Sequence, residues 1–198
     1  MHYELCIKIK LYKMILPISI IGTSVLRKKA DTVNKDYPDL QKLIDDMFET
    51  MYKTEGVGLA APQVGHSIRL FVCDAAPMTD DDNDTFTKSF KRAMLNPEII
   101  ETFGANVSYN EGCLSIPGLH ENVVRPDGVK IRYYDENFEL HEETLTGNCA
   151  RVVQHEYDHL DGVLFTDKVG MLRRKLIRNK LANISKGKFE HNYKVKMA

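Results

Sequence analysis

The sequence of 198 residues has few cysteines, no long apolar run and almost no net charge. Its cysteines are Cys6, Cys73, Cys113 and Cys149. They are too few and too widely spaced for a disulfide framework, which favours a reducing compartment, and we expect the cytoplasm. No apolar run approaches the roughly 20 residues of a membrane span, and the short run at residues 14–21 is interrupted by Pro17. A net charge of -1 argues against a protein that binds nucleic acid through its whole surface.

The composition is that of one folded domain. Hydrophobic residues make up 43% of the chain and charged residues 28%, which argues against a disordered chain. Residues 1–13 carry no pattern that the later sequence needs, so we predict an N-terminal extension without a function. We place the folded domain at residues 14–185 and a basic C-terminal tail at residues 186–198.

Hydrophobic periodicity predicts an α+β fold. Apolar residues at helical spacing predict a helix over residues 40–51 and another that starts near Cys149 and ends before Gly162. Short β-type runs at residues 94–96, 99–103, 107–109, 129–134 and 138–146 are typical of antiparallel strands. A C-terminal helix is predicted at residues 171–184. We expect the strands to pack around the helix that begins near Cys149.

The segment HEYDH at residues 155–159 lies within that predicted helix. The i, i+4 spacing of His155 and His159 puts both imidazoles on one face, one turn apart, where they can bind one metal ion. Glu156 between them is spaced to act as a general base on water. The alternative is structural, with two histidines capping a buried face of the helix.

A catalytic metal site needs a third protein ligand and an open position. After His159 the candidates are Glu190 and His191, and neither looks suitable because both lie in the polar tail. Upstream, Cys113 follows a glycine in the segment EGCLS at residues 111–115, so its thiolate can approach another element closely. The alternative for Cys113 is a small buried hydrophobic residue.

Three segments together resemble the motifs of the peptide deformylase family, in the family's order. They are GVGLAAPQVG at residues 56–65, EGCLS at residues 111–115 and QHEYDH at residues 154–159. The resemblance implies a metal-dependent hydrolase that removes the formyl group from the N-terminal formylmethionine of newly synthesised proteins and releases formate. Residues 14–185 would be its catalytic domain.

The resemblance also implies a role for each motif residue. The metal ligands would be Cys113, His155 and His159. They would bind one divalent ion, natively Fe²⁺ and replaceable by Zn²⁺, Ni²⁺ or Co²⁺. Glu156 would take a proton from the attacking water and pass it to the leaving amine. The side-chain amide of Gln63 and the backbone N–H of Leu114 would stabilise the developing oxyanion.

Two further groups of residues follow from the same resemblance. Val57 and Val152 would help enclose the methionine side chain of the substrate, and Gly58 would let the substrate backbone approach without a clash. Glu111 and Arg125 would form a brace behind the metal ligands and orient the loop that carries the cysteine.

The basic C-terminal region suggests a partner. Residues 167–198 hold ten lysines or arginines against two acidic residues. In the helix at residues 171–184, Leu172, Leu176 and Ile177 are predicted to pack inward while the basic residues face water. We expect a weak contact with ribosomal RNA, near the nascent chains that carry the formyl group. The alternative is a solvated face or end.

Two other functions remain open at this point. An HExxH peptidase that cleaves internal peptide bonds would need a third ligand other than Cys113. A metal-stabilised RNA-binding module would use the basic region as its main surface.

Overall fold

The structure is a computed structural model that describes residues 13–198, so all of the predicted N-terminal extension except Lys13 lies outside the described residues. The helices are α1 (Leu40–Lys53), α2 (Thr85–Ser89), α3 (Gly147–Leu160) and α4 (Met171–Ile184). The strands are β1 (Ile18–Ser19), β2 (Gly58–Ala60), β3 (Leu70–Asp74), β4 (Lys91–Gly112), β5 (His120–Tyr134), β6 (Leu140–Thr146) and β7 (Val195–Lys196).

One antiparallel sheet dominates the fold. Its strand order is β2-β3-β4-β5-β6, so each strand pairs with its neighbour in sequence. A separate parallel pair joins β1 to β7 and brings the two ends of the described chain together. The predicted combination of helices, an antiparallel sheet and a C-terminal helix is confirmed.

The central strand β4 differs from the prediction. The three short runs predicted between residues 94 and 109 belong to one strand of 22 residues. Its pairing with β5 shifts register near Pro97 and near Gly104. Pro97 has no N–H to donate, and Gly104 takes a left-handed conformation with φ 80°. These local interruptions break the hydrophobic pattern while the strand continues.

Helix α3 is held by its apolar face. Cys149, Val153 and Leu160 are at most 1% exposed and belong to a core cluster that also contains residues of β3 and β5. Fully burying a valine or leucine side chain contributes about 1.5–3 kcal/mol, so this face fixes the helix firmly against the sheet. The polar residues of α3 are thereby held in fixed positions beside the sheet.

Helix α4 has the predicted bounds but buries a narrower stripe than predicted. Ile177 and Ile184 are 5% and 2% exposed, whereas Leu172 and Leu176 are 78% and 72% exposed. The prediction that the two leucines pack inward is therefore wrong. These two isoleucines and the half-buried Leu181 between them form the stripe that reaches the core, because α4 lies on the surface of the domain.

In the part of the chain that the structure describes, no helix combines the length and the apolar character that a membrane span requires. Within the same residues, the cysteines Cys73, Cys113 and Cys149 are free thiols.

Candidate active site and metal centre

Helix α3 carries the HEYDH segment and presents its two histidines side by side. The ring centroids of His155 and His159 are 5.2 Å apart, as their i, i+4 spacing predicts. His159 is 1% exposed and Glu156 is 4% exposed. Burial keeps these side chains in one arrangement and limits competition from water.

Cys113 meets the histidines from the loop that follows β4. Its Sγ lies 3.3 Å from His159 Nε2, although the two residues are 46 positions apart in the chain. The potential ligand atoms of Cys113, His155 and His159 all lie within 4.8 Å of one another. The Nδ1 atom of His155 lies 2.9 Å from Glu111 Oε2, so Nε2 is the nitrogen available to a metal.

The electrostatics of these three residues fit a divalent cation. Burial lowers the pKa of His159 well below its ordinary value, so the imidazole is neutral, as a ligand must be. For His155, burial alone would lower the pKa, but hydrogen bonds with the Cys113 and Glu111 side chains outweigh it and raise the pKa. The Cys113 and Glu111 side chains thus favour positive charge at His155. One sulfur and two nitrogen donors suit Fe²⁺, Zn²⁺, Ni²⁺ or Co²⁺ better than Mg²⁺ or Ca²⁺.

Glu156 lies beside the ligands with an unused oxygen. Within the described residues its Oε2 atom is buried and has no hydrogen-bond partner. Burial raises the pKa of Glu156 to about 7. A carboxyl group with this pKa and a free oxygen can both accept and return a proton near neutral pH.

Gly58 in β2 packs directly against Glu156. A Cβ atom at position 58 would lie 2.4 Å from Glu156 Oε1 and 2.7 Å from its Cδ, which is closer than atoms can approach. The glycine therefore makes room for the carboxylate. The sequence suggested only room for a substrate backbone at this position.

The side-chain amide of Gln63 points toward Cys113. Its Oε1 accepts a hydrogen bond of 2.7 Å from the N–H of Ala60, which fixes the amide orientation. Its Nε2 lies 3.5 Å from Cys113 Sγ and 3.3 Å from Ser115 Oγ. The NH₂ group of Gln63 is thus held beside Cys113. Leu114 is the next residue in the loop of Cys113.

Behind the histidines lies a buried network of charges. Arg125 donates two hydrogen bonds to Glu111, at 2.7 and 2.9 Å, and one of 2.6 Å to Asp158. Arg151 also donates to Glu111, at 3.0 Å. Burial alone would raise the pKa of Glu111, but its hydrogen bonds with Arg125 and His155 outweigh it and lower the pKa. Glu111 therefore stays ionised.

Sequence reasoning missed Arg151 and Asp158 in this network. A usable signal existed, since Arg151 is four residues before His155 and Asp158 three residues after it, on the same helix. Residues at these spacings share a face of a helix.

A cleft of about 720 Å³ opens onto these groups. The predicted residues that line it are Val57, Gly58, Gln63, Glu111, Cys113, Leu114, Val152, His155 and Glu156. Arg125 and His159 are buried behind its wall. The cleft is also lined by residues 190–193 of the predicted tail, and no sequence pattern predicted this position for them.

The fold and the site define a class of protein. A cysteine and two histidines lie close enough together to hold a metal ion, a carboxylate with a free oxygen lies beside them, and an amide donor faces the same open cleft. This is the arrangement of a metallohydrolase.

Comparison with known proteins identifies the family within this class. The family profile described as polypeptide deformylase matches residues 15–175. A peptide deformylase from Christiangramia forsetii is 51% identical over 188 residues, covering 92% of this chain and 96% of that protein. The crystal structure of a peptide deformylase from Legionella pneumophila has a TM-score of 0.75 at 38% identity, covering 90% of this chain and 99% of that one. Arabidopsis thaliana peptide deformylase 1B in complex with an inhibitor has a TM-score of 0.78 at 37% identity, covering 87% of this chain and 91% of that one.

This chain belongs to the peptide deformylase family. Members of the family are metal-dependent hydrolases that remove the N-formyl group from the N-terminal methionine of nascent proteins. The predicted family and activity are confirmed. The peptidase and the RNA-binding module are set aside as the main function.

Proposed function

We propose that Cys113, His155 and His159 bind one divalent metal ion, and that this centre hydrolyses the formyl amide of N-formylmethionyl nascent peptides. The observation that carries the proposal is the meeting of three ligand side chains beside Glu156, which has a free oxygen. The test is metal analysis of protein purified without oxygen, combined with formate release from a formyl-Met peptide. Protein that binds metal stoichiometrically but releases no formate would contradict the proposal.

The residues of the site divide the chemistry among them. When bound, the metal supplies Lewis acidity that activates water and polarises the formyl oxygen. Glu156 takes the proton of the attacking water and passes it to the amine as the carbon–nitrogen bond breaks, which leaves formate and a free amino terminus. Gln63 Nε2 and the N–H of Leu114 donate hydrogen bonds to the developing oxyanion, each contributing about 3–4 kcal/mol.

Around the reacting groups, a residue pair and the packing of one helix support the chemistry. Glu111 and Arg125 brace His155 from behind, and the distances in their ion pair support this role. Helix α3 bears the HExxH motif, and four strands of the sheet contact this helix. These contacts keep the residues of the motif in place.

We propose Fe²⁺ as the native ion, with Zn²⁺, Ni²⁺ or Co²⁺ as replacements that the donor set also accepts. A ferrous ion beside a thiolate is open to oxidation. We therefore expect the iron form to lose activity in air or peroxide much faster than nickel or zinc forms of the same protein. The measurement is the half-life of formate release for each metal form. Equal half-lives across the three metal forms would show that iron is not the cause of the sensitivity to air or peroxide.

For the substrate side chain, we propose an apolar subsite formed with Val57 and Val152, where Gly58 also faces the cleft. Burying a methionine side chain is worth about 1.5–3 kcal/mol, so kcat/KM should be about ten- to a hundredfold higher for formyl-Met than for formyl-Gly peptides. Val152→Ala should reduce this preference, whereas Val124→Ala on the exposed face of β5 should leave it unchanged. No preference in the parent protein would mean that the subsite lies elsewhere.

The domain limits remain proposals. We place the catalytic domain at residues 14–185, which the match over residues 15–175 supports, with an extension at residues 1–13 and a basic tail at residues 186–198. The free thiols of the described residues and an activity on nascent chains favour the cytoplasm as the location.

We also propose a weak contact between the basic face of α4 and the ribosome. Arg174 and Arg178 are exposed on α4, and the exposed Leu172 and Leu176 lie on the same helix. Reversing both arginines to glutamate should reduce co-sedimentation with ribosomes at low salt, because contacts with phosphates depend on charge.

The control makes the same change of charge elsewhere. Lys35→Glu with Lys53→Glu reverses two exposed lysines outside α4 and should leave co-sedimentation unchanged. Deleting the tail is not a suitable test, because residues 190–193 line the cleft. Equal pelleting of the α4 variant and the parent would contradict the ribosome contact.

A further inference from the structure

The C-terminal segment, defined here as residues 189–193, lies at the mouth of the cleft. Residues 190–193 line the same cleft as Cys113 and Glu156. Phe189 and Tyr193 pack against the larger core cluster, so the segment is attached to the domain. Helix α4 precedes it and β7 follows it in a parallel pair with β1.

Strand β1 connects this segment to the loop of Cys113. The N–H of Ile18 donates to the carbonyl of Lys194 at 2.9 Å. The N–H of Ile21, just beyond the strand, donates to the carbonyl of Ser115 at 2.9 Å. The chain terminus and the metal-binding loop are therefore held against the same short stretch of backbone.

Tyr193 also contacts that loop directly. Its hydroxyl donates a hydrogen bond of 2.7 Å to the carbonyl oxygen of Leu114. The backbone N–H of Leu114 is the oxyanion donor in the proposed function. The hydrogen bond anchors the planar peptide unit that follows Leu114, and it thereby holds in place the Cα atom that this unit shares with the one bearing the Leu114 N–H.

We propose that the C-terminal segment is part of the active site, with Tyr193 as a positioning residue for Leu114 and residues 190–192 as a wall that binds the peptide beyond its methionine. The proposal rests on the proposed function. A cleft of about 720 Å³ has room for more than a formylmethionine. On the peptide-binding wall, the carboxylate of Glu190 favours substrates with a basic residue after the methionine.

The positioning role is tested with Tyr193→Phe, which removes only the hydroxyl. Loss of a neutral hydrogen bond of this kind changes an equilibrium or a rate by about two- to tenfold. We therefore expect kcat to fall by that factor, with KM and metal content unchanged. Tyr37→Phe is the matched control, since the Tyr37 hydroxyl contacts His66 Nδ1 at 3.0 Å outside the cleft. The control variant should lose a similar amount of stability but keep the kcat of the parent. An unchanged kcat in Tyr193→Phe overturns the positioning role.

The wall is tested with Glu190→Lys and two substrates, formyl-Met-Ala-Lys and formyl-Met-Ala-Glu. The parent should prefer the lysine peptide, and the variant should shift the ratio of kcat/KM values by about three- to tenfold toward the glutamate peptide. Glu136→Lys changes the charge equally at the exposed turn after β5 and should leave the ratio at the parent value. If Glu190→Lys and the parent have the same ratio of kcat/KM values, the peptide-binding role of residues 190–192 is overturned.

These results separate the two levels of the proposal. If Tyr193→Phe and Glu190→Lys behave like the parent while Glu156→Gln loses turnover, the active-site role of the segment fails and the proposed function remains. If the parent protein binds metal but releases no formate from a formyl-Met peptide, the proposed function itself fails.

Discussion

Replacing Glu156 with glutamine is expected to lower kcat by about 10² to 10⁴-fold while the bound metal remains. Glutamine has nearly the same shape and still fits beside Gly58, but it cannot accept the proton of the attacking water. The carboxylate is not one of the three clustered ligands, so metal content should not change. Formate release and metal analysis on the same sample measure both quantities.

The matched control for this variant is Glu121→Gln. Glu121 is also a buried glutamate, 5% exposed, and its Oε1 likewise has no hydrogen-bond partner within the described residues. It pairs with Arg173 through its other oxygen, at 2.7 Å, and is not among the residues that line the cleft. Turnover should therefore be retained. Equal turnover in the parent and in Glu156→Gln would remove the proton-transfer role.

Replacing Arg125 with leucine is expected to destabilise the protein by about 3–5 kcal/mol, because Glu111 and Asp158 lose their partner in a buried site. The Arg125 side chain is 3% exposed and contacts both carboxylates. At about 2–4 °C per kcal/mol for a domain of this size, Tm should fall by about 6–20 °C. Loss of the brace on His155 should also weaken metal binding by about 10- to 100-fold.

Arg132→Leu is the control for this variant. Arg132 pairs with Glu142 at 3.0 Å, but both side chains are more than a third exposed, and such a pair is worth at most about 1 kcal/mol. Its Tm should therefore change by no more than about 4 °C, with metal affinity unchanged. Similar Tm values for the two variants, measured by thermal unfolding with and without metal, would mean that the buried network does not support the site.

Local sequence alone determined how the two histidines of α3 lie relative to each other. An i, i+4 pair of histidines faces one direction on any helix, so the 5.2 Å approach of His155 and His159 needed no knowledge of the fold. The bounds of α4 were predictable for the same reason. Its buried face was not, because Leu172 and Leu176 have the same helical spacing whether or not a neighbouring element covers them.

Cys113 could be proposed from the sequence, yet only the fold brings it to the histidines. The pairing of β4 with β5 sets where the loop after Gly112 lies, and bulges in that long strand set its register. The fit between Gly58 and Glu156 likewise depends on how β2 packs against α3.

Helical periodicity and residue chemistry thus predicted the histidine pair, the carboxylate between the two histidines and the class of reaction. The tertiary structure decided the place of the C-terminal segment. Tyr193 and Leu114 are 79 residues apart, and their hydrogen bond exists because β7 pairs with β1 beside the loop of Cys113. Contacts between distant parts of a chain depend on strand pairing and packing over the whole domain, and no local pattern encodes them.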